Sequence, residues 1–277
     1  MKRLLIYGKE IRERIKARVK EQADITPMAM AIIQVGDNEA SRLYVRSIEK
    51  FGFDVGIKVE LFNYPDDTSH ETLAGKIEQL NLAPEFTGIM LQTPLPSGLN
   101  YGHLVNSIVW HKEVEGLHNY NLGRLLSREE GVKPSTPKAV MSILKGHGVD
   151  MDGQKVTIVG RSLVVGSPLA VMMTRENATI RLCHSHTHDL AEETRGADIV
   201  VVAVGKPNLI TADMVKDECV IIDVGINFDE NGQVIGDVSD AAKARARLAS
   251  AVPGGIGVLT VAELFDNLCI LKRQDQG

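Results

Sequence analysis

A glycine turn directly after a buried strand is the strongest chemical signal in this sequence. Residues 156–159 are apolar and mostly β-branched, which predicts a strand, and Gly160-Arg161-Ser162 follows at once. A helix-compatible stretch then begins near Gly166. A strand that breaks on glycine into a helix directs free N–H groups and the positive helix end at one point, which suits a pyrophosphate. The spacing departs from Gly-x-Gly-x-x-Gly, and glycine after a strand is also an ordinary turn residue.

The next predicted strand, residues 178–183, ends in Cys183-His184-Ser185. In dinucleotide-binding folds the end of this strand contacts the adenosine ribose, and an acidic residue there favours NAD. Here the acid is missing, whereas Arg161 and Ser185 offer a cation and a hydroxyl suited to a ribose 2′-phosphate. We therefore predict that Gly160, Arg161, Ser162 and Ser185 bind NADP in preference to NAD.

Three further segments follow predicted strands, where α/β proteins keep their ligands. Gln92 follows strand 88–91 and presents an amide, although it is also an ordinary polar loop residue. Asp223 ends another strand and is either a catalytic acid or, more commonly, a loop cap. Pro253-Gly254-Gly255 is rigid and poor in side chains, so a flat ligand can approach its backbone closely. Taken singly, each of these signals is weak.

Strand-like and helix-like segments alternate along the chain, which predicts an α/β fold with parallel sheets in two doubly wound units. The predicted strands are 28–35, 57–62, 88–91, 156–159, 178–183, 198–204 and 219–224. The main predicted helices are 6–23, 39–51, 72–80, 169–174 and 260–272. The polar, glycine-punctuated stretch 111–124 is the predicted hinge between the units.

Composition limits the class of protein. The chain has 277 residues, of which 44% are hydrophobic and 24% charged, as expected for a globular protein of one large or two ordinary domains. A net charge of −5 argues against a nucleic-acid partner. The absence of a long apolar run predicts no membrane segment, and three widely spaced cysteines predict a reducing, cytoplasmic environment. The alternating His184, His186 and His188 are the best metal pattern, but no cysteine or carboxylate set accompanies them, so we expect no metal site.

Taken together and in order, the motifs resemble the bifunctional methylenetetrahydrofolate dehydrogenase/cyclohydrolase family, from about Gly36 to Asn267. The matching segments in the first part of the chain are Val35-Gly36-Asp37-Asn38 with Ser41, Tyr44-Val45, Gln92-Thr93-Pro94-Leu95-Pro96 and Pro134-Ser135-Thr136-Pro137. Those in the second part are Gly160-Arg161-Ser162, Val165-Gly166 with Pro168, Cys183 to Thr187, Val204 to Pro207, Ile222 to Asn227, Gly236-Asp237-Val238 and Pro253 to Gly257 with Thr260.

The resemblance implies an NADP-dependent enzyme that oxidises 5,10-methylenetetrahydrofolate, built as two doubly wound α/β domains with a cleft between them. Residues 1–118 plus 258–277 would form the folate-binding catalytic domain. Residues 119–257 would form a Rossmann-type NADP-binding domain. The resemblance also implies a homodimer, with tetrahydrofolate derivatives as the partners.

The resemblance also assigns residues to roles. Tyr44 would pack its ring against the pterin, and Gln92 would hydrogen-bond near the reacting one-carbon centre. Glu115 stands where the family has an aspartate that grips the pterin nitrogens. Pro253, Gly254 and Gly255 would bind the folate side, and Ile226 would join the cofactor residues.

Position 48 departs from the family pattern in a way that bears on catalysis. The family's catalytic lysine lies four residues after the tyrosine, and here that residue is Ile48. On a helix Tyr44 and Ile48 share a face, whereas Lys50 is about 240° away around the axis. We therefore predict that dehydrogenase activity survives and that methenyltetrahydrofolate cyclohydrolase activity is weak or absent.

Three alternatives remain open at the level of sequence. The enzyme is fully bifunctional, or it is an NADP-dependent dehydrogenase of a non-folate substrate, or it is a non-catalytic ligand-binding relative. The changes at Ile48 and Glu115 favour the second of these, since both lie on the folate side. Retention of Tyr44 and Gln92 argues against the third.

Overall fold

The computed structural model describes residues 4–274. The strands are β1 Leu4–Ile6, β2 Ala29–Val35, β3 Lys58–Tyr64, β4 Gly88–Leu91, β5 Lys155–Val159, β6 Thr179–Cys183, β7 Ile199–Val202, β8 Val220–Asp223, β9 Asn227–Phe228, β10 Val234–Ile235 and β11 Leu248–Ser250. The helices are α1 Lys9–Ile25, α2 Glu39–Val55, α3 His70–Leu82, α4 Tyr101–Ser107, α5 Asn119–Ser127, α6 Ser135–Gly146, α7 Gly166–Thr174, α8 Leu190–Arg195, α9 Asp240–Arg245 and α10 Gly257–Gln274, with a 3₁₀ turn at Ala212–Met214.

The described chain divides into two compact units. Residues 4–13 and 136–260 form the six-stranded unit, and residues 14–135 and 261–274 form the three-stranded unit. This division differs from the predicted limits of 1–118 plus 258–277 and of 119–257, whose outermost residues 1–3 and 275–277 lie outside the described chain. Residues 119–135, which include α5, belong to the three-stranded unit, and residues 4–13 belong to the six-stranded one.

The six-stranded unit is built on a parallel sheet in the order β1-β11-β8-β7-β5-β6. Its central strands β7 and β8 are buried along their whole length, which explains their continuous apolar sequences. The chain moves from β5 outward to β6 and then returns to β7 on the other side of β5. Doubly wound sheets bind ligands at such a switch point, outside the carboxyl ends of the strands.

The three-stranded unit has a parallel sheet in the order β3-β2-β4. Alternate residues of β2 point to opposite faces. One face, which we call the α3 face, carries Ala31 and Ile33 and packs in one apolar cluster with residues of α3 and α4. The opposite face, which we call the α2 face, carries the even-numbered residues of β2. Helix α2 lies on that face, because a Cβ built on Gly52 would stand 2.6 Å from Cγ2 of Val59, which pairs with Met30.

The predicted α/β architecture with parallel sheets is confirmed, and each predicted strand lies within about two residues of an observed one. The helix predicted from Ile6 is wrong at its start, because Leu4–Ile6 pairs with Leu248–Ser250 as an edge strand. Sequence reasoning missed β9, β10 and β11 and the short helices α4, α5, α8 and α9. Within residues 4–274 no helix is long and apolar enough to cross a membrane.

Candidate cofactor and substrate sites

The carboxyl ends of β5, β6 and β7 meet around a cavity of about 470 Å³. Its lining includes four of the predicted cofactor residues, Gly160, Arg161, Ser162 and Ser185. The other lining residues are Val159, His184, Thr187, Leu190, Ala203, Val204, Lys206 and Leu209. The structure therefore brings together the two segments that the sequence analysis selected separately, at the topological switch point of the sheet.

Two glycines make the turn after β5 possible. Gly160 has φ of 120°, and a Cβ there would stand 2.4 Å from the carbonyl oxygen of Ala203. A Cβ on Gly166 would stand 1.7 Å from the carbonyl oxygen of Gly160. Helix α7 begins at Gly166, and Val165 in front of it supplies no side-chain cap. The N–H of Ser167 donates to the carbonyl oxygen of Ser162 at 3.0 Å, and Pro168 has no N–H. What the turn offers to the phosphates of a dinucleotide is therefore close approach to a backbone that its two glycines leave without side chains.

Two cationic side chains, Arg161 and Lys206, line this cavity. Arg161 and Ser185 are both exposed at the cavity. Desolvation, followed by the charges of Arg161 and His186, lowers the pKa of His184. Among residues 4–274, no group of three or more His, Cys, Asp or Glu side chains is placed to hold a metal ion. The cations here are therefore available to an anionic group such as a ribose phosphate.

Asp237, to which the sequence analysis assigned no role, holds the backbone next to this cavity through several hydrogen bonds. Its buried carboxylate accepts hydrogen bonds from the backbone N–H groups of Val204, Gly205 and Lys206, at 2.8, 3.0 and 2.7 Å. It also accepts one from Nδ2 of Asn227 at 2.9 Å. One carboxylate thus ties the turn after β7, which lines the cavity, to the loop after β8. The only sequence signal for it was its place in the motif Gly236-Asp237-Val238.

Asp223 caps loops. It is buried, pairs with Nζ of Lys243 at 2.7 Å, and accepts the N–H groups of Asp237 and Val238 at 2.9 and 3.2 Å. Burial raises the pKa of the Asp223 carboxyl, and the ammonium group of Lys243 opposes that shift. Of the two roles considered from sequence, these contacts give Asp223 the structural one.

Ile226 and the loop Pro253-Gly254-Gly255 line a second cavity, of about 240 Å³, in the same unit. Ile226 does not line the cavity that holds Arg161 and Ser185. A Cβ on Gly255 would stand 2.4 Å from the carbonyl oxygen of Ala251, and Gly254 has φ of 103°. This loop therefore requires its glycines, which leaves one wall of the cavity as bare backbone.

In the three-stranded unit, helix α2 runs against the direction of the strands. Oγ of Ser41 near its start donates to the carbonyl oxygen of Thr93, beyond the carboxyl end of β4, at 3.3 Å. Gly52 near its end lies against Val59, at the amino end of β3. Tyr44 is partly exposed one turn from the helix start, so it lies toward the carboxyl edge of the sheet.

Ile48 is completely buried on the same helix. It lies about 6 Å along the helix from Gly52, level with the apolar middle of the sheet, where Met30 and Ile32 are also fully buried. A helical side chain leans toward the helix start, so the long stem of a lysine at this position would reach toward the carboxyl edge. The shorter side chain of Ile48 ends among these buried apolar residues. Arg46 and Lys50 are exposed.

Gln34 and Gln92 lie side by side at that carboxyl edge, on the α2 face. Ile33 pairs with Leu91, and the N–H of Gln92 donates to the carbonyl oxygen of Ile33 at 2.8 Å, so Gln34 is the next residue along. Each amide group donates to a backbone oxygen, Gln34 to Gly36 at 3.2 Å and Gln92 to Thr93 at 2.6 Å. Each Oε1 is buried without a hydrogen-bond partner. Gln34 was not predicted, although a lone polar residue in an apolar strand was a usable signal.

Glu113 and Glu115 lie along the other side of β4. Glu113 is buried and accepts the N–H groups of Glu115, Leu117 and His118 at 2.8, 2.8 and 2.9 Å. Glu115 keeps part of its surface accessible, and no side-chain hydrogen bond to it occurs among residues 4–274. Desolvation, with the charge of Glu113 second, raises the pKa of Glu115 to about 8. The site thus holds one satisfied acid and, two residues later, one acid without partners.

Comparison with known proteins gives a consistent family. The sequence model of the tetrahydrofolate dehydrogenase/cyclohydrolase catalytic domain matches residues 6–115, and that of the NAD(P)-binding domain matches residues 134–276. The bifunctional protein FolD 2 of Syntrophomonas wolfei is 60% identical over 98% of this chain and 100% of its own length.

Solved structures of such enzymes superimpose closely. The bifunctional FolD methylenetetrahydrofolate dehydrogenase/cyclohydrolase of Campylobacter jejuni has a TM-score of 0.96 at 35% identity, covering 99% of this chain and 100% of its own. The Trypanosoma brucei enzyme, solved with NADP cofactor and an inhibitor, has a TM-score of 0.94 at 30% identity, covering 99% of each chain.

Proposed function

This chain belongs to the tetrahydrofolate dehydrogenase/cyclohydrolase family, and from that premise we propose which of the family's two reactions its site supports. The first reaction is the NADP-dependent oxidation of 5,10-methylenetetrahydrofolate to 5,10-methenyltetrahydrofolate. The second is hydrolysis of that product to 10-formyltetrahydrofolate. We propose that this protein is a methylenetetrahydrofolate dehydrogenase in which the second activity is weak or lost.

The six-stranded unit supplies the cofactor site in this proposal. Gly160 and Ser162 hold the phosphates, and Arg161 and Ser185 hold the ribose 2′-phosphate, because these groups converge on one cavity with exposed positive charge. When bound, NADP supplies the hydride acceptor. Ile226 is assigned to the nicotinamide side, since it lines a different cavity from the phosphate residues.

The three-stranded unit supplies most of the folate site. Tyr44 stacks on the pterin, Gln92 hydrogen-bonds near the one-carbon centre, and Glu115 takes the place of the pterin-binding aspartate. Pro253, Gly254 and Gly255 are assigned to the folate as well. Support comes from the position of Tyr44 and Gln92 at the carboxyl edge of one sheet, and from the unpaired acceptor on Gln92.

The buried isoleucine at position 48 carries the proposal about the two reactions. Hydride transfer needs close alignment of the reacting atoms and no proton transfer by the protein. Hydrolysis adds water to the methenyl cation and opens the ring, which requires a group that carries protons. Ile48 has none and is completely buried, and Lys50 is exposed on another side of α2. Loss of a general acid/base lowers a rate by about 10²–10⁴-fold.

Two assays on one preparation test this proposal. NADP reduction is measured with 5,10-methylenetetrahydrofolate, and hydrolysis is followed as the loss of methenyltetrahydrofolate absorbance against a buffer blank. We expect ready NADP reduction and hydrolysis close to the blank. In Ile48→Lys, hydrolysis should rise by about 10²-fold or more. Robust hydrolysis by the unmodified enzyme would refute the separation of the two activities.

Two control variants isolate the amine. Ile48→Met has a long side chain without a charge, so it should leave hydrolysis at the level of the parent enzyme. Lys50→Met removes the nearest alternative lysine on α2 and should change neither activity. If Lys50→Met abolishes residual hydrolysis, Lys50 carries the protons. If the parent enzyme does not reduce NADP with 5,10-methylenetetrahydrofolate, the substrate belongs to another class.

Assembly and location are the last parts of the proposal. We propose a homodimer, by analogy with the family, and size-exclusion chromatography with light scattering should give twice the chain mass of 30.2 kDa. We also propose the cytoplasm as the compartment. The three cysteines are buried and no disulfide joins them, as expected in a reducing environment.

A further inference from the structure

Lys206 is a cation in the cofactor cavity that the proposed roles leave unused. It lies four residues after the end of β7, in the segment Val204-Gly205-Lys206-Pro207, and it lines the cavity together with Arg161 and Ser185. No aspartate or glutamate is among the described residues that line this cavity. An anion that enters it therefore meets positively charged side chains and no acidic one.

Neighbouring residues hold the backbone of Lys206 in place. Gly205 has φ of 65°, in the left-handed region that favours glycine, and Pro207 disfavours a helical conformation of the residue before it. The N–H of Lys206 donates to Oδ1 of Asp237 at 2.7 Å, and the two N–H groups before it donate to Oδ2 of the same buried carboxylate. Only the flexible stem of Lys206 therefore has to be ordered when a ligand binds, which lowers the entropic cost of the contact.

The charged groups of Lys206 and Arg161 are not neutralised by the protein. Both side chains are exposed, and neither forms an ion pair within the described part of the chain. By contrast, Arg181 on β6 pairs with Glu193 at 3.0 Å. Desolvation, and then nearby positive charge, lowers the pKa of His184, so this imidazole is mostly neutral at pH 7. Among the described residues that line the cavity, Arg161 and Lys206 are thus the cations available to an anion.

A ribose 2′-phosphate is the part of NADP that gains most from a second cation. A phosphate monoester carries about −1.5 to −2 charges at pH 7, of which Arg161 balances one. The bridging phosphates of a dinucleotide are only singly charged. Neighbouring strands lie about 4.8 Å apart, so the loops after β7 and β6, on either side of β5, leave the sheet about 10 Å apart. This gap accommodates a phosphate between the long side chain of Lys206 and the short one of Ser185.

We propose that Lys206 is a specificity-determining residue, whose ammonium group binds the ribose 2′-phosphate together with Arg161 and Ser185 and so favours NADP over NAD. Arg161 donates through a planar guanidinium group and Ser185 through a hydroxyl group, whereas Lys206 adds a compact charge on a flexible stem. NAD carries a hydroxyl group at this position, so Lys206 forms no ion pair with it. This inference rests on the proposed cofactor site, and it adds to that site a residue that discriminates between the two cofactors.

Calorimetry with two nucleotides that differ only in the 2′-phosphate tests this role. The probes are adenosine 2′,5′-bisphosphate and adenosine 5′-monophosphate. In Lys206→Met, the Kd for the bisphosphate should rise about 5- to 20-fold, as expected for one charged hydrogen bond in a partly exposed site. The Kd for the monophosphate should change less than about twofold. The melting temperature should change by less than about 1 °C, because the ammonium group loses no partner.

Two further variants control for the loss of charge and for its position. Lys155→Met removes an exposed lysine at the amino end of β5, at the opposite end of the same strands, and should change neither Kd. Lys206→Arg keeps a cation on a long stem, so its Kd for the bisphosphate should stay within about threefold of the parent value.

The outcomes separate this inference from the proposed cofactor site. If Arg161→Met weakens binding of the bisphosphate and Lys206→Met does not, the inference alone fails. If Lys206→Met weakens both nucleotides equally, Lys206 binds the part that they share, and the inference is again wrong. If the parent protein binds the bisphosphate no more tightly than the monophosphate, the proposed 2′-phosphate site fails and the inference falls with it.

Discussion

The two units differ in whether their buried side-chain oxygens have hydrogen-bond partners. In the six-stranded unit, the buried carboxylates of Asp223 and Asp237 accept several hydrogen bonds each and hold the loops of the cofactor cavity. In the three-stranded unit, Glu113 is satisfied in the same way. However, the buried side-chain oxygens that lack partners in residues 4–274 all belong to that unit, on Gln34, Gln92, Tyr101 and Ser135.

This difference fits the two ligands. A dinucleotide is bound largely by backbone N–H groups and a few cations, so its site has to be a turn of fixed shape. A pterin is recognised by hydrogen bonds along its ring edges, so its site has to keep donors and acceptors available. Under the proposed roles, we expect a cofactor site preorganised by the protein's own hydrogen bonds and a substrate site whose polar atoms find partners on the ligand.

Gly166→Ala should have the largest effect, because the added methyl group cannot be accommodated in the turn between β5 and α7. Its Cβ would lie 1.7 Å from the carbonyl oxygen of Gly160, and a backbone atom cannot move aside at small cost. We expect a loss of about 4 kcal/mol in the free energy of unfolding and a large loss of NADP affinity. Urea denaturation and NADP titration measure both. Gly196→Ala in the same unit, where a Cβ meets nothing within 4 Å, should cost less than about 1 kcal/mol. Equal effects would show that the turn is not constrained.

In the three-stranded unit, Glu115→Gln should produce a pH-dependent change in the free energy of unfolding, which is smaller near neutral pH. The folded pKa of Glu115 is raised from 4.5 to about 8, so the folded state keeps a proton that the unfolded chain releases. The stability from this group is present below about pH 4.5 and is lost as pH rises to about 8. Relative to the parent protein, Glu115→Gln should therefore gain stability with rising pH, reaching on the order of 5 kcal/mol at pH 9.

Urea denaturation at pH 5, 7 and 9 measures this trend. Glu78→Gln, on the exposed side of α3, is the matched control for removing one negative charge from the same unit. A difference between the two variants that does not change with pH would contradict the prediction. Such a result would mean that Glu115 is well solvated in the free protein.

Ser135→Ala should have the smallest effect. Whether it raises or lowers the melting temperature tests the comparison between the two units. Oγ of Ser135 is buried without a partner, so its removal should raise the melting temperature by about 1–3 °C. Ser41→Ala removes a hydroxyl that donates to the carbonyl oxygen of Thr93, so it should lower the melting temperature by a similar amount. Thermal scans of both variants measure the contrast. A fall for both would mean that the Ser135 hydroxyl is satisfied in solution.

Local sequence patterns predicted the parts of the fold that depend on local physics. Strands such as 156–159 and 219–224 were readable because buried parallel strands require continuous apolar residues. The turn at Gly160 was readable because its backbone geometry excludes a side chain. Edge strand β1 could not be predicted, because its three residues pair only with residues 248–250, which are far along the chain.

The site shows the same limit. Asp237 lies 33 residues from the N–H of Val204 that it accepts, and no period in the sequence joins them. Sequence also did not show that Gln34 and Gln92 lie side by side on the α2 face, because strand register decides the side to which a residue points.

The amino-acid sequence by itself determined the chemistry available to this protein, including an aliphatic residue where the family has lysine and a glycine turn that admits phosphate. These are properties of residue type and of short-range backbone sterics, which do not depend on the rest of the chain. Only the tertiary structure decided which of these groups are satisfied and which remain unpaired. Burial and hydrogen bonding depend on neighbours that are distant in the chain and are brought together by packing of the sheets.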